Sequence, residues 1–542
     1  MSSCGWPREV LAVLLLGGIL PAAPAHAQFA CPDPPAPIGR ITIERVEVFD
    51  PGGTRFVKLV NRGANMLHAR TRERVVSREL LFREGEPCRS EALAQTERNL
   101  RALGIFQQVD VVPVPAADGR VDVLVRVRDA WSLRVSGRYQ RTGGVPVWDL
   151  GLADANIGGQ GFAAGVRRRN GFEADITTAW LEDPRLGGSR ERLSLRFDDR
   201  SDGHATALAL SRPFYALDTR WAHDIGFVGT HDVFRIYQDG DISESFGRRA
   251  VDAVAGLSVR LAAPAPLEVW RLGFGYRFVT NEYPAVGSRA PVSMDIPLSR
   301  RWAGPYVSLQ FLEHRFVKRR GMLFPHRDVD VNLGAQADLG MFVSQRVAAW
   351  RTTSRVILGA GVSRGWLLPG NGILVSKASA AVHAGGGESV RADVAGSVRG
   401  WWQRSATHVL TTVGEIHTSV NPEPGYRVYL GGSPGLRGFR ERAFQGTRST
   451  LLVVEDRKYA DWKPIGLMQF RAAAFVEAGT VGGGAVTSGR GRILAGAGIG
   501  LRIAKLRSSA SGVIRIDVAY PLTRPPDGRR RPQLVIGYSN EF

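Results

Sequence analysis

The feature that most constrains this chain is the long stretch after Ala130. From there to Phe542 the sequence shows no amphipathic helix, only segments of about ten residues that alternate in character between Gly, Pro, Asp and Asn turns. Val307, Leu309 and Phe311 alternate with Ser308 and Gln310, and Ile514, Ile516, Val518 and Tyr520 with Arg515, Asp517 and Ala519. In a strand this pattern puts apolar side chains on one face and polar ones on the other. Charge on the second face suits a wet lumen and the first face suits lipid, as in a transmembrane antiparallel β-barrel. Periodicity alone fits a β-sandwich or a propeller equally well.

The two ends of the chain favour the barrel. Arg8, an apolar run from Val10 to Leu20 and the small-x-small step Ala25-His26-Ala27 read as a secretory signal peptide over 1–27. The run is too short for a spanning helix, which takes ~20 residues, and no later segment supplies one. At the other end Gln533–Phe542 alternates Leu534, Ile536 and Tyr538 and stops on an aromatic. Outer-membrane barrels commonly end so, with Gly537, Tyr538 and Phe542 as the closing signal. The expected location is the outer membrane of a Gram-negative bacterium.

Of the three cysteines Cys4 leaves with the signal, and Cys31 and Cys88 remain, consistent with one disulfide in an oxidising compartment or with two free thiols. The net charge is +20, carried by 65 arginines against six lysines. Nucleic-acid binding is not expected, because the arginines form no helix stripe or zinc module. A basic lumen or a surface facing lipopolysaccharide fits better. The ten histidines show no metal-site spacing, and no cofactor or metal is expected.

Residues 28–39 are proline-rich and read as a linker. A small α+β domain over 40–130 comes next: a strand at Ile41–Val48, a helix over Arg70–Phe82, and a second helix capped by Ser90 with Leu93, Thr96 or Glu97, Leu100 and Leu103 on one side. Gly104 ends that helix, and two strands, Val109–Val114 and Arg120–Val127, meet at an Asp-Gly turn. This order alone fits any small α+β module. The stretch GEPCRSEALAQTERNLRALGIFQQVDV, with Leu103-Gly104-Ile105-Phe106 between helix and strand, resembles the POTRA domain, here in one copy.

With POTRA in place, motifs in the long segment resemble the BamA/TamA and two-partner-secretion superfamily. Leu430–Arg440, LGGSPGLRGFR, is similar to its lumen-loop tip, with Arg437, Gly438 and Phe439 at the tip. Phe475-Val476-Glu477-Ala478-Gly479 resembles the inner-wall Phe-x-Asp-x-Gly motif with Glu for Asp. Glu455 and Arg457 resemble the Glu-x-Arg of the following strand. Asp154, Asn156, Gly159 and Gly161 match the family's Asp-x-Asn turn near the barrel's start. The resemblance implies that Arg437 reaches Glu477, a two-pronged contact that guanidinium and carboxylate are shaped for. It also implies a barrel over 131–542 of about sixteen strands, five of them after the loop.

The resemblance further implies insertion or translocation of polypeptides. The first strand (about Trp131–Gln140) and the last would form a weak seam, and the POTRA edge would capture clients by strand addition. The partners would be outer-membrane lipid and lipopolysaccharide, unfolded outer-membrane or exported client polypeptides, and a periplasmic accessory protein at the POTRA domain. The alternative is a passive or substrate-specific pore, which the single POTRA keeps open. An enzyme is not expected. Gly431-Gly432-Ser433-Pro434-Gly435 satisfies Gly-x-Ser-x-Gly, but no helix begins there and no histidine follows His417. Gly496, Gly498 and Gly500 form a small strand face and imply no phosphate loop.

Overall fold

The computed structural model describes residues 31–48, 69–142, 145–171, 173–238, 241–261, 267–284, 298–320, 328–348, 351–405, 407–424, 426–432, 435–460, 468–483, 491–506 and 513–539. The signal segment, Ser433 and the terminal Phe542 lie outside them. The N-terminal domain comprises β1 (Ile38–Val46), α1 (Glu73–Ser77), α2 (Ser90–Ala102), β2 (Phe106–Pro115) and β3 (Val121–Asp129). Its sheet runs β1-β3-β2, with β1 parallel and β2 antiparallel to the central strand. Leu93 and Leu100 of α2, with Val75 and Val76 of α1, pack on Val109, Val111, Val123, Val125 and Val127. Gly104 ends α2 at φ 71°, a conformation that costs a side-chain-bearing residue more than glycine.

Three local expectations need correction. Helix α1 stops at Ser77, short of Phe82, and the Leu81 amide donates to Thr96 Oγ1 at 3.1 Å, off the helical path. Ser90 does not cap α2; its Oγ accepts from the Cys31 amide at 3.0 Å. The proline-rich segment, from Cys31 onward, is part of the domain and not a free linker. Cys31 is bonded to Cys88, the Cys88 amide donates to Ala36 O at 2.9 Å, and Ile38 is in the core. Cross-linking across 57 residues stabilises by about 4 kcal/mol in the loop-entropy account.

The rest is one closed antiparallel barrel of twenty strands among the described residues, not sixteen. Fifteen strands precede the long loop and five follow it, Arg448–Tyr459, Met468–Gly482, Leu494–Lys505, Val513–Pro521 and Gln533–Ser539. The excess over the family number is upstream, where alternating segments that could have been loop hairpins are wall strands in register with their neighbours. Alternation resolves as expected for a membrane wall: Val135, Leu150, Leu339, Val476 and Ile499 are exposed on the outside, while Asp517 and Ala519 are buried on the inside.

The N-terminal domain lies across one mouth of the barrel, the near end. Asn99 donates to Tyr215 O at 3.0 Å and Gln107 to Leu506 O at 2.9 Å. A hairpin of Phe316–Arg320 and Asp328–Asn332, between two wall strands, folds under the same mouth. Val317 and Leu333 pack there with Ile373, Leu367 and Trp401. Arg101 of α2 grips Asp330 with two bonds of 2.7 and 2.8 Å, and Lys318 meets Glu97 at 3.0 Å. At the far mouth the loop residues 426–432 and 435–447 turn inward.

Candidate functional site in the barrel lumen

Arg437 at the tip of the far loop is 3% exposed and touches three carboxylates from three wall strands. Its Nε donates to Glu477 at 3.0 Å, and its Nη1 to Glu455 at 3.1 Å and Asp517 at 3.0 Å. The guanidinium lies on the Phe475 ring, 3.4 Å from its centroid. Glu477 accepts a further bond from the Gly438 amide at 3.0 Å, so the tip is bound by side chain and backbone at once. Arg457 is not a partner of Arg437; it donates to Glu455 at 2.8 Å and so holds the acceptor in place.

The tip is also packed. Leu430, Leu436, Phe439, Ala443 and Phe444 bury themselves against Val413, Leu451, Val453, Val481 and Leu494, with Phe439 edge-on to Phe444 at 5.2 Å. Gly438 lets the loop approach the wall: a Cβ there would stand 3.0 Å from the backbone of Tyr520 and Pro521. At Gly479 it would meet Thr450 O at 2.7 Å.

Two partners are absent from the site that the motifs define. Alternation marks Asp517 only as lumen-facing, and no motif includes Arg502. Arg502 bonds Glu455 at 3.0 and 2.8 Å and also Asp517, closing the ring around Arg437. The strand alternation that places Arg515 and Asp517 inside is the available signal. Gly496, Gly498 and Gly500 make room for the network, being the inner-face neighbours of Glu477, Phe475 and Asp517. Gly498→Ala would drive a methyl into Phe475 and Val518 O, with an expected cost of about 1–3 kcal/mol. A lower midpoint of unfolding should report it, while Gly414→Ala, with open space around its Cβ, should not move the midpoint.

The near-end turn motif docks the N-terminal domain. Asp154 Oδ1 accepts from the Asn156 amide at 2.9 Å; Asn156 Nδ2 donates to Thr71 Oγ1 at 2.7 Å, and its Oδ1 accepts from Gly161 N at 2.7 Å. Gly159 O accepts from Arg72 N at 2.9 Å, and a Cβ on Gly159 would strike Arg70 O. Sequence reasoning missed a second copy, Asp183-Pro184-Arg185-Leu186-Gly187-Gly188-Ser189. Gly158 and Gly187 share nearly the same backbone angles (57°, 23° and 59°, 14°), and Arg185 pairs with Glu79 of the N-terminal domain. Of the closing-signal residues, Gly537 is buried in the last strand, Tyr538 pairs in register with Ile514, and Phe542 lies outside the described residues.

These features define a β-barrel protein with an inward loop locked to its wall and a docked N-terminal domain. Residues 67–130 match the POTRA family, described as surface antigen variable number repeat. A POTRA domain followed by a barrel is the order that the resemblance to the BamA/TamA and two-partner-secretion superfamily implies. Among solved structures it is similar to BamA from Haemophilus ducreyi lacking POTRA domains 1–3 (13% identity, TM-score 0.38, 92% of this chain and 84% of that one). It is similar also to CdiB from Escherichia coli (13%, 0.46, 92% and 75%) and to OccK2 (OpdF) from Pseudomonas aeruginosa (9%, 0.32, 75% and 94%). No curated protein matches the chain.

Proposed function

We propose that this protein inserts or translocates polypeptides at the outer membrane of a Gram-negative bacterium, with the near end in the periplasm and the far loop at the cell surface. The reading also makes it non-catalytic, so Ser433→Ala should leave the activity unchanged. The observation that carries it is the filled lumen. The lumen is occupied at both mouths, by the locked loop and by the docked POTRA domain. The wall closes where the last strand, Gln533–Ser539, meets the first, Leu133–Thr142, with Val535 and Gln140 as register partners. On its other side the same last strand pairs continuously from Ala519–Gln533 to Val513–Ser539.

Parting of the first and last strands would expose backbone groups on both, a template for a client strand.

The POTRA edge offers a first contact. Ala116 N donates to Arg120 O at 3.0 Å, which sets the alternation so that residues 109, 111, 113 and 115 of β2 turn their amide positions outward. Pro113 and Pro115 have no N–H to offer, so a client strand would pair beside Val109 and Val111. A passive pore would need a lumen open at both mouths.

Depleting the protein and comparing outer-membrane and secreted proteomes tests the reading. Loss of particular barrels or exported proteins is expected. An unchanged set accompanied by altered solute permeability would speak for the pore.

A further inference from the structure

Two arginines face each other inside the near end of the barrel. Arg260 and Arg271 are direct cross-strand partners, on the lumen face that Gln310 shares through its pairing with Arg271. Like charges directly opposite on a sheet repel. Arg271 spends one N–H on Gln310 Oε1 at 3.0 Å and lays its guanidinium on the Phe214 ring at 4.1 Å. The Nε atoms of both arginines are buried without an acceptor, and neither forms an ion pair among the described residues.

Residues 262–266, between the two strands in sequence, are Ala-Ala-Pro-Ala-Pro and contain no carboxylate. Beside them His314 has both ring nitrogens buried and unpartnered. Burial, with Arg271 and Arg98 nearby, pushes its pKa down to about 4, so it stands neutral. Arg98 comes from α2 of the POTRA domain and sits over the Phe316 ring at 4.8 Å. Its neighbours Glu97 and Asp330 are already engaged by Lys318 and Arg101.

We infer that Arg260, Arg271, His314 and Arg98 form a binding site for an oxyanion, a carboxylate or a phosphate group, at the junction of the POTRA domain and the barrel. The physical case is one of missing countercharge. A like-charge pair half withdrawn from water is costly, and forked N–H donors match a two-oxygen acceptor. An anion there would offset the Arg260–Arg271 repulsion, accept from both Nε atoms, and engage the domain and the barrel at once through Arg98. The chemistry is shared by the free carboxyl end of a peptide and by a phosphate, bound on a lipid headgroup or free.

The full chain in detergent micelles should be titrated with inorganic phosphate, with a short peptide bearing a free C-terminal carboxylate, and with the same peptide amidated. Calorimetry gives the affinity and a thermal melt gives the stability. Phosphate, the free-acid peptide or both should bind and raise the melting temperature, whereas the amidated peptide should not. Response to only one identifies the ligand as that one. Arg271→Gln and Arg260→Gln should each weaken binding roughly ten- to hundred-fold, the worth of a charge-assisted bond.

Arg98→Gln, which lies outside the barrel wall and leaves barrel folding aside, should weaken it too. At low ionic strength without phosphate, Arg271→Gln should melt higher than the wild-type chain, because the repulsion is gone. Binding by neither probe, equal binding by Arg271→Gln, or a lower melting temperature of that variant without ligand would each overturn the site.

Discussion

Arg437→Ala is expected to lower the stability of the barrel by about 3–5 kcal/mol, the cost of stranding a buried carboxylate, and to release the far loop from the wall. The loss should fall mainly on Glu477. Glu455 keeps Arg457 and Arg502, and Asp517 keeps Arg502, whereas Arg437 is the one cation on Glu477 among the described residues. Glu477→Gln in the Arg437→Ala background should therefore recover part of the loss, and Glu455→Gln should recover none.

Arg437→Lys should behave nearly as badly as alanine, since a single ammonium cannot reach three carboxylates while lying flat on Phe475. The temperature at which the folded band disappears on a semi-native gel measures all four. A wild-type midpoint for Arg437→Ala would mean that the loop is held by its apolar packing alone.

A disulfide between cysteines placed at positions 140 and 535 is expected to abolish assembly activity to background while leaving the folded band intact, with recovery on reduction. The two positions are Cα partners across the seam, and antiparallel partners stand about 4.5–5.5 Å apart, within disulfide reach. A second pair at Leu452 and Ala478, partners on the outer face of the continuous wall, serves as the control and should cost nothing in activity. Full activity in the locked chain would remove the seam from the mechanism and return attention to the lumen. Mapping the bond by digestion separates it from the existing Cys31–Cys88 link.

Much of the candidate site is legible in the chain. Strand alternation has a period of two, a purely local property, so lumen-facing residues such as Asp517 and lipid-facing ones such as Val518 separate without any knowledge of neighbours. The loop tip and its wall motif are legible for a similar reason: Arg437, Gly438 and Phe475 to Gly479 lie in short contiguous strings. The POTRA helix α2 is legible from its spacing of Leu93 and Leu100, and its end from Gly104.

The features hidden from the chain depend on which strand lies beside which. Arg502 enters the Arg437 network only because its strand lies between those of Glu477 and Asp517. Arg260 and Arg271 face each other only at the register their hairpin adopts, and His314 and Arg98 reach them from a separate hairpin and a separate domain. The strand total is of the same kind, since an alternating segment becomes wall or loop according to whether a neighbour pairs with it.

By itself the sequence determined the two faces of strands such as Val513–Pro521, the POTRA core and the identity of the loop tip, because those rest on periodicity and on short motifs. The tertiary structure alone decided the twenty-strand closure, the docking of the POTRA domain across the near mouth and the countercharges of Arg437 and Arg502. The reason is physical. Hydrogen-bond register between strands, and the electrostatics that it sets, are properties of pairs of segments brought together from distant parts of the chain.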